Sequence, residues 1–550
     1  MLLEILNKLN RPRTYLLLAN VFLVFFLILL FNLGVLPFKG LGDFIFFSVL
    51  FLAFALYRPG WAFLFFIGTI ALENINLASE NLGIAARPYQ FIAGLTILAV
   101  LIKLVFKRLG FKLPKWNLHD WLFIIFIAAG FLSAPGAENK ALSFKQSIIA
   151  ASFVALYFLV RVFIQNIEDL KKIIPFFLSS SIVVIFYGIW QNIRFAKGLN
   201  HFETMPGRPN ATFTEADWLG IYLVFILAII YSLICYIKQK SDSSESVILN
   251  FKFLILKQFS ISKFTIFKPF LYVLLVLNYI LLILTVSRSA WLGALTVTFI
   301  FLFIIFTNLK LSFGNWQLRE TIKIKIPIIA CAIASVAIVY FFNLTSFQLF
   351  NRAESAGTGL QKITISCKNS EQAKQLQQIE RIEQLEQFNC RHINLEEIKM
   401  EEARGYFIKE IYRDDPNINI RSEIYKKSWT EIKKHPILGI GWGNIGKVLG
   451  GDERGATLNS SNIFLEVWLG AGIIGLLALL AILVYILILN IRRFVSDNDD
   501  SKALGLFAIL GLFALIIPNL FNAGILLGFI WIFLAITTIV PAPNSEQGFK

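Results

Sequence analysis

Long apolar runs, separated by short polar or basic segments, follow one another along most of the chain. A helix needs about 20 apolar residues, or about 17 at the short end, to cross a hydrocarbon core of about 30 Å. The pattern predicts about fourteen membrane-spanning helices, over residues 15–36, 42–57, 61–75, 90–106, 119–135, 146–164, 172–193, 217–238, 268–286, 289–308, 325–343, 463–490, 503–519 and 523–540. The pairs around Arg58-Pro59-Gly60 and Pro518-Asn519 give the weakest span signals, and the first pair is short enough to be re-entrant, so a count of twelve remains the alternative.

Composition supports this fold class. The chain is 57% hydrophobic and 16% charged, with a mean hydropathy of +0.69, whereas a soluble domain carries roughly 25% charged residues. A water-soluble enzyme is therefore excluded. We predict an all-α, polytopic membrane helix bundle.

The net charge of +16 comes from Lys and Arg residues whose placement indicates the orientation of the chain in the membrane. With the N-terminus in the cytoplasm, about 26 Lys and Arg fall in inside connections and about 8 in the short outside ones, which satisfies the positive-inside rule. The charge therefore predicts no nucleic-acid partner. The basic N-terminus precedes a span without a small-residue cleavage site, so we expect this helix to be retained.

Three regions follow from the spans: an N-terminal bundle over 1–343, a long extracytoplasmic loop over 344–462, and C-terminal helices over 463–550. Within the loop, Leu376, Ile379, Ile382 and Leu385 recur every three residues, which favours amphipathic helices. Cys367 and Cys390 also lie there, and an oxidising exterior would permit a disulfide between them.

Signals for nucleotide or metal chemistry are weak. The chain lacks a phosphate-binding G-x-x-x-x-G-K-[ST] run, and its four His are scattered without metal-site spacing, so neither a cofactor nor a metal is predicted. Gly439-x-Gly441-x-Gly443 lies outside without a surrounding strand–helix unit. It is interpreted as a turn that returns the loop to the membrane.

Arginines at the outer face are the main chemical signal. Arg87, Arg208 and Arg288 lie in short outside connections, and Arg421 lies near the end of the long loop. Charge near the membrane is costly, so such residues either snorkel or bind an anion. Arg288 sits in a very tight turn between two spans, and a guanidinium fork suits a diphosphate. Lipid carriers that bear sugars through a diphosphate are the plausible ligands at this location.

Three segments resemble the O-antigen ligase and polymerase family of bacterial membrane glycosyltransferases. They are Thr285-Val-Ser-Arg288-Ser-Ala-Trp, similar to the family's Ser-Arg turn; Arg421-Ser-Glu-Ile-Tyr through His435-Pro-Ile-Leu-Gly-Ile-Gly441-Trp-Gly-Asn444, similar to its loop-end signature; and Ser461-Asn462-Ile-Phe-Leu-Glu466, similar to its re-entry motif. Arg208-Pro-Asn-Ala-Thr-Phe213-Thr-Glu215-Ala-Asp217 is a fainter match. The resemblance implies a bacterial inner-membrane protein that uses a polyprenyl-diphosphate-linked oligosaccharide and an acceptor glycan or glycolipid.

One position departs from the family pattern. Members commonly carry a His immediately before the re-entry Asn, where this chain has Ser461, and a serine is not a base at neutral pH. The candidates for activating the acceptor are Glu215, then His435, then Glu466. His435 ranks below Glu215 because it precedes a proline and could serve only to orient the turn.

The sequence thus predicts a metal-independent glycosyltransferase of polymerase or ligase type acting at the outer face. Two other classes stay open. One is an anion transporter, since some relatives have been labelled bicarbonate carriers, although internal repeats with paired broken helices are not evident. The other is an inactive scaffold of polysaccharide assembly, if Ser461 marks a lost site.

Overall fold

A computed structural model describes residues 12–79, 85–242, 263–306, 318–345, 359–380, 382–393, 397–414, 416–451, 458–496 and 498–539. Before the long loop, eleven helices follow one another: α1 (Pro12–Asn32), α2 (Leu41–Tyr57), α3 (Pro59–Thr69), α4 (Pro88–Val105), α5 (Leu118–Ser133), α6 (Lys140–Phe163), α7 (Ile167–Ala196), α8 (Ala216–Asp242), α9 (Lys263–Leu284), α10 (Arg288–Phe306) and α11 (Leu318–Phe341).

The described part of the long loop contains four strands and four helices: β1 (Leu360–Cys367), α12 (Ser370–Gln375), β2 (Gln378–Ile379), β3 (Cys390–Ile393), α13 (Ile398–Ala403), β4 (Phe407–Asp414), α14 (Pro416–Lys434) and α15 (Ile445–Leu449). The chain then forms α16 (Ile463–Phe494), α17 (Asp499–Asn519) and α18 (Gly528–Ile536). Short 3₁₀ helices lie at Ala134–Gly136, Ile382–Phe388 and Gly524–Leu526.

The all-α membrane fold class is confirmed. Among the described residues, nine helices are long and apolar enough to cross a membrane, and each of the fourteen predicted spans overlaps a helix. The weakly predicted pair α2 and α3 is divided at Arg58, because Pro59 lacks the N–H that would continue α2 and instead begins the next helix.

Helix α8 lies at the centre of the bundle, with 94% of its apolar window buried. It packs against α9, α10 and α17. Gly220 allows the close approach to α10, since a Cβ there would lie 2.6 Å from the Cβ of Ala290. This contact sets the N-terminal end of α8 directly beside the start of α10.

The helical character predicted for the long loop does not hold over residues 360–414, which contain strands as well as short helices. The strands form one sheet in the order β2-β4-β1-β3, with β1 antiparallel to β3 and β4. The alternating Ile363, Ile365 and Cys367 give β1 its buried face. The three-residue recurrence that suggested α-helix ends in the 3₁₀ segment Ile382–Phe388, whose turn contains three residues.

Cys367 and Cys390 are paired in this sheet. They lie opposite each other in the β1–β3 register and are joined by a disulfide. The bond closes a loop with a sequence separation of 23 residues, and Cys367 and Cys390 also belong to the small core of the sheet unit.

The loop returns to the bundle through the glycine-rich turn, as interpreted from the sequence. Gly439 has φ 72° and lies against the backbone of α16, where a Cβ would come within 2.4 Å of the Leu469 carbonyl oxygen. Helix α16 is kinked at Gly472, with φ 67°, and the Ile473 N–H donates to the Pro436 carbonyl at 3.1 Å. The turn therefore packs into the kink.

Candidate functional site

The Ser-Arg turn joins α9 to α10 in three residues, Thr285 to Ser287. The Thr285 hydroxyl donates to the Leu282 carbonyl at 2.7 Å, and Val286 takes the left-handed conformation with φ 53°. Thr285 and Ser287 are buried, whereas Arg288 is half-buried at the first position of α10. The turn is short and pinned, so it presents Arg288 from a fixed backbone.

Arg208 and Asp217 attach the α7–α8 connection to this turn. The Ser287 hydroxyl donates to the Asp217 carboxylate. Arg208 donates from Nε to the Thr285 carbonyl at 3.0 Å, and its Nη2 lies 3.3 Å from an Asp217 oxygen. The carboxylate thus balances the Arg208 charge at the same place where Arg288 emerges.

The α17–α18 connection lies between the turn and the re-entry motif. Asn522 donates from Nδ2 to the Ser289 hydroxyl at 2.9 Å and to the Pro518 carbonyl at 2.9 Å. Two residues earlier, the Leu520 carbonyl accepts from Asn462 Nδ2 at 3.1 Å. One connection of a few residues therefore contacts both motifs.

Arg421 and Tyr425 on α14 contact the α17–α18 connection and the re-entry motif. Arg421 Nη2 lies 3.4 Å from the Phe521 carbonyl oxygen, and its guanidinium stands 5.7 Å from the centre of the Phe521 ring. The Tyr425 hydroxyl lies 3.3 Å from the Ser461 carbonyl oxygen. Helix α14 is thus held against the α17–α18 connection by its Arg421 end.

Asn462 is the N-cap of α16. Its Oδ1 accepts from the N–H groups of Phe464 at 2.9 Å and Leu465 at 3.2 Å, which satisfies donors that the helix leaves open. Ser461 precedes it with φ 50°, and the Ser461 N–H donates to Asn459 Oδ1 at 2.9 Å. The motif fixes where α16 begins and orients Asn462 toward Leu520.

The three candidate bases occupy different surroundings. Glu215 is exposed and lies two residues before Asp217. Glu466 accepts the Ser460 N–H at 2.9 Å, so it holds the re-entry turn. His435 is exposed just past the end of α14, about 21 Å along the helix axis from Arg421 at 1.5 Å per residue. Of the three, only Glu215 adjoins the Arg208–Asp217 pair in the chain.

Arg87 has an ion-pair partner of its own. It forms an ion pair with Glu73, whose side chain is 2% exposed, and donates to the Tyr89 hydroxyl at 3.3 Å. Its guanidinium is therefore neutralised by a buried carboxylate at the start of α4. The described contacts bring together Arg208, Arg288 and Arg421 with the α17–α18 connection, directly or through Ser287 and Ser289. Arg87 instead contacts Glu73 and Tyr89, and Tyr89 packs against Gly528 at the start of α18.

Sequence reasoning missed three members of the cluster: Asp217, Tyr425 and Asn522. Asp217 and Tyr425 both lie inside the motif segments, next to residues that were selected. Asn522 lies in the polar interruption after Pro518, between two apolar runs. A polar residue at that position was the available signal, but only the fold shows that it meets Ser289.

A lateral cleft of about 790 Å³ opens between α14 and α16. The cleft is polar and aromatic along α14 and near Asn462, and aliphatic further along α16. It is lined by Ser422, Tyr425, Lys426, Trp429, Asn462, Phe464, Leu465, Trp468, Leu476 and Leu480. Among the described residues that line it, none is a carboxylate. Leu480 is 37% exposed on the outside of the bundle, so the cleft runs from the site toward lipid.

Within the described ranges, no three His, Cys, Asp or Glu side chains converge as a metal site would require. The arginine set instead supplies fixed guanidinium donors, which suit phosphate oxygens.

Comparison with known proteins gives one match. Residues 271–480 match the family described as O-antigen ligase. The matched range contains the Ser-Arg turn, the long loop with α14, and the re-entry motif at the start of α16. No curated protein matches the chain.

Proposed function

Because residues 271–480 match the O-antigen ligase family, we propose that the chain transfers a saccharide from a polyprenyl-diphosphate carrier to an acceptor sugar. The family supports a membrane glycosyltransferase-like role in surface polysaccharide assembly, with lipid-linked glycans as substrates. The carrier diphosphate, the acceptor and the residues below are our proposal. With the N-terminus in the cytoplasm, the reaction takes place at the outer face.

One observation carries the proposal. Segments far apart in the chain meet at the α17–α18 connection, where Asn522 contacts Ser289 of the Ser-Arg turn, and Leu520 and Phe521 contact the re-entry motif and Arg421. The contacts thus gather all three sequence motifs around one short segment. A site assembled from several segments is what a two-substrate transfer reaction needs to hold donor and acceptor together.

The diphosphate would be bound by Arg288, Arg208 and Arg421. Arg288 projects from a pinned turn, and Arg208 is held beside it by Asp217 and Thr285. Planar guanidinium groups bind phosphate oxygens in a bidentate manner. As the diphosphate leaves, its negative charge grows, and cations fixed at that position stabilise the transition state more than the bound substrate. Arg87 is the weakest of the four predicted ligands because Glu73 neutralises it.

The isoprenoid chain of the carrier would lie in the cleft between α14 and α16. Tyr425 and Asn462 line this cleft and also contact the segment that binds Arg421. Aliphatic Leu476 and Leu480 continue it toward the bilayer. The cationic Lys426 on α14 and the lack of a carboxylate among the described lining residues favour an anionic headgroup.

Glu215 is the proposed base. It would accept the proton of the acceptor hydroxyl while the acceptor oxygen bonds to the anomeric carbon of the donor sugar. The bond from that carbon to the diphosphate oxygen breaks, and polyprenyl diphosphate leaves. A carboxylate can act as a base in this way when it is within hydrogen-bond reach of the hydroxyl.

A transfer assay with purified protein in lipid nanodiscs tests the proposal. The donors are a polyprenyl-diphosphate-linked oligosaccharide and, as a control, the same saccharide on a monophosphate carrier. We expect transfer to a glycan acceptor, with release of polyprenyl diphosphate, from the diphosphate donor only. Failure to transfer from any lipid-linked saccharide, combined with altered inorganic-carbon uptake in a gene deletion, would support the anion-transporter class instead.

A further inference from the structure

A second cavity lies at the opposite side of the membrane from the arginine site. Its volume is about 90 Å³, and it is formed where α1, α3 and α7 pack together. Three cationic side chains line it together with one glycine and four apolar residues: Arg13, Arg58, Lys172, Gly60, Leu16, Trp61, Leu64 and Phe176. Each cation comes from a different part of the chain, and all three lie in connections or helix ends assigned to the cytoplasmic side.

The arrangement of these cations differs from a simple orientation signal. Positive residues that only orient a bundle need to reach the cytoplasmic headgroup region, and nothing requires them to share a cavity. Here Arg13, Arg58 and Lys172 converge on one cavity. Arg58 is also fixed, because its guanidinium lies 5.0 Å from the Tyr57 ring centre and 5.4 Å from the Trp61 ring centre.

The charge balance around the cavity is positive. Lys172 lies 2.8 Å from Asp169, one turn earlier on α7. That carboxylate offsets one of the three cations that line the cavity. Gly60 places the first turn of α3 at the wall, and the N-terminal end of a helix carries a partial positive charge that favours an anion. The helix end and the cations therefore both favour the binding of an anion.

We propose that this cavity binds the phosphate of an anionic phospholipid from the cytoplasmic leaflet. Basic pockets between transmembrane helices on that side bind anionic lipid headgroups. The proposal depends on the orientation with the N-terminus in the cytoplasm. It does not depend on the glycosyltransferase reaction, so the two can fail separately.

The exposed apolar face of α1 beside the cavity favours a lipid over a free phosphate ion. Leu16, Leu64 and Phe176 are buried beside the cations and form the apolar floor of the cavity. On α1, Tyr15, Leu18 and Phe22 are 46%, 44% and 67% exposed. This outward face continues from the cavity along the helix, where the acyl chains of a bound phospholipid would lie.

Native mass spectrometry of the detergent-purified full chain measures the binding. The probes are phosphatidylglycerol, phosphatidylcholine with the same acyl chains, and inorganic phosphate. We expect phosphatidylglycerol to bind more tightly than phosphatidylcholine, and excess inorganic phosphate to displace it poorly. Removing two cations in Arg13→Gln/Arg58→Gln should weaken phosphatidylglycerol binding roughly thirtyfold, from the typical effect of a basic residue near an anionic lipid.

A matched variant controls for general electrostatics. Lys107→Gln/Arg108→Gln removes two exposed cations from the α4–α5 connection on the same side and should bind phosphatidylglycerol as the parent does. The double variant Arg13→Gln/Arg58→Gln keeps Lys172 and its ion pair, so α7 is unchanged. Equal loss in both double variants, or no loss in either, would overturn the site, and displacement by inorganic phosphate as effective as by phosphatidylglycerol would overturn its assignment to a lipid.

Discussion

The side-chain amide of Asn522 donates a hydrogen bond to the hydroxyl of Ser289, with 2.9 Å between Nδ2 and Oγ, across 233 residues of sequence. Ser289 follows Arg288 at the start of α10. Asn522 follows the two residues whose carbonyls lie against Asn462 and Arg421. This single contact therefore fixes the Ser-Arg turn relative to the re-entry motif, which the proposed reaction requires.

Replacing Asn522 by Ala should lower the transfer rate about tenfold or more, because the two halves of the site lose a direct link. The hydrogen bond itself is worth only about 0.5–1.5 kcal/mol, so the melting temperature should change little. Thr296→Ala is the control, since Thr296 lies on α10 with Ser289 and its hydroxyl donates to the Leu292 carbonyl within that helix. Parent activity in Asn522→Ala would contradict this role.

Glu215→Gln should lower kcat at least a hundredfold and leave donor KM nearly unchanged, because a base acts in the chemical step. Glu466→Gln is the matched comparison: the amide keeps an oxygen that accepts the Ser460 N–H, so its kcat should stay near that of the parent. Steady-state kinetics on both variants decide the assignment. A parent-like kcat in Glu215→Gln together with a low kcat in Glu466→Gln would show that Glu466, not Glu215, is the base.

Stability should depend on pH through Glu203, in the connection before Arg208. Burial raises the pKa of the Glu203 carboxyl to about 7, against an opposing hydrogen bond from the Gly207 N–H, and His201 lies 3.2 Å away. Since the folded state holds this proton more tightly than the unfolded state, stability should fall as pH rises from about 4.5 to about 7 and level off above.

Thermal melting between pH 4 and 8 checks this. Glu203→Gln cannot titrate, so its melting temperature should change less across that interval than the parent's. An identical slope in both proteins would show that another group is responsible.

The loop from 359 to 451 should be extracytoplasmic. Ser370 is exposed at the start of α12, and a Ser370→Cys variant in a Cys235→Ala/Cys331→Ala background keeps the Cys367–Cys390 disulfide. An impermeant maleimide should label this cysteine in intact cells, whereas Lys107→Cys, on the opposite side, should react only after lysis. Labelling in the reverse order would invert the orientation and place the arginine site in the cytoplasm.

The membrane helices could be predicted from sequence because each apolar run carries its own signal. Every predicted span overlaps a helix, including the short α2 and α3 on either side of Arg58-Pro59. The loop could not be predicted as well. The recurrence at Leu376, Ile379, Ile382 and Leu385 fits an α-helix only loosely. In the structure Ile379 lies in β2, which pairs with β4, and Ile382 and Leu385 lie in a 3₁₀ segment.

The candidate site was likewise predictable from the sequence only in part. Arg208, Arg288 and Asn462 lie in motifs that are local in the sequence. Asn522 and Phe521 join the cluster only through packing of α17 against α8 and α10, and no local pattern encodes that contact. The ion pair between Arg87 and Glu73 is equally non-local, so Arg87 resembled the other outer-face arginines until its partner was known.

The activity of Arg288→Lys tests the central proposal most directly. Lysine keeps the charge but lacks the planar fork that binds a diphosphate in a bidentate manner, so transfer from the polyprenyl-diphosphate donor should fall by about a hundredfold or more, with expression and melting temperature unchanged. Arg194→Lys, at the C-terminal end of α7 where Arg194 stacks on Trp190, should transfer at the parent rate. Parent-rate transfer by purified Arg288→Lys would contradict the proposal that Arg288 binds the leaving diphosphate.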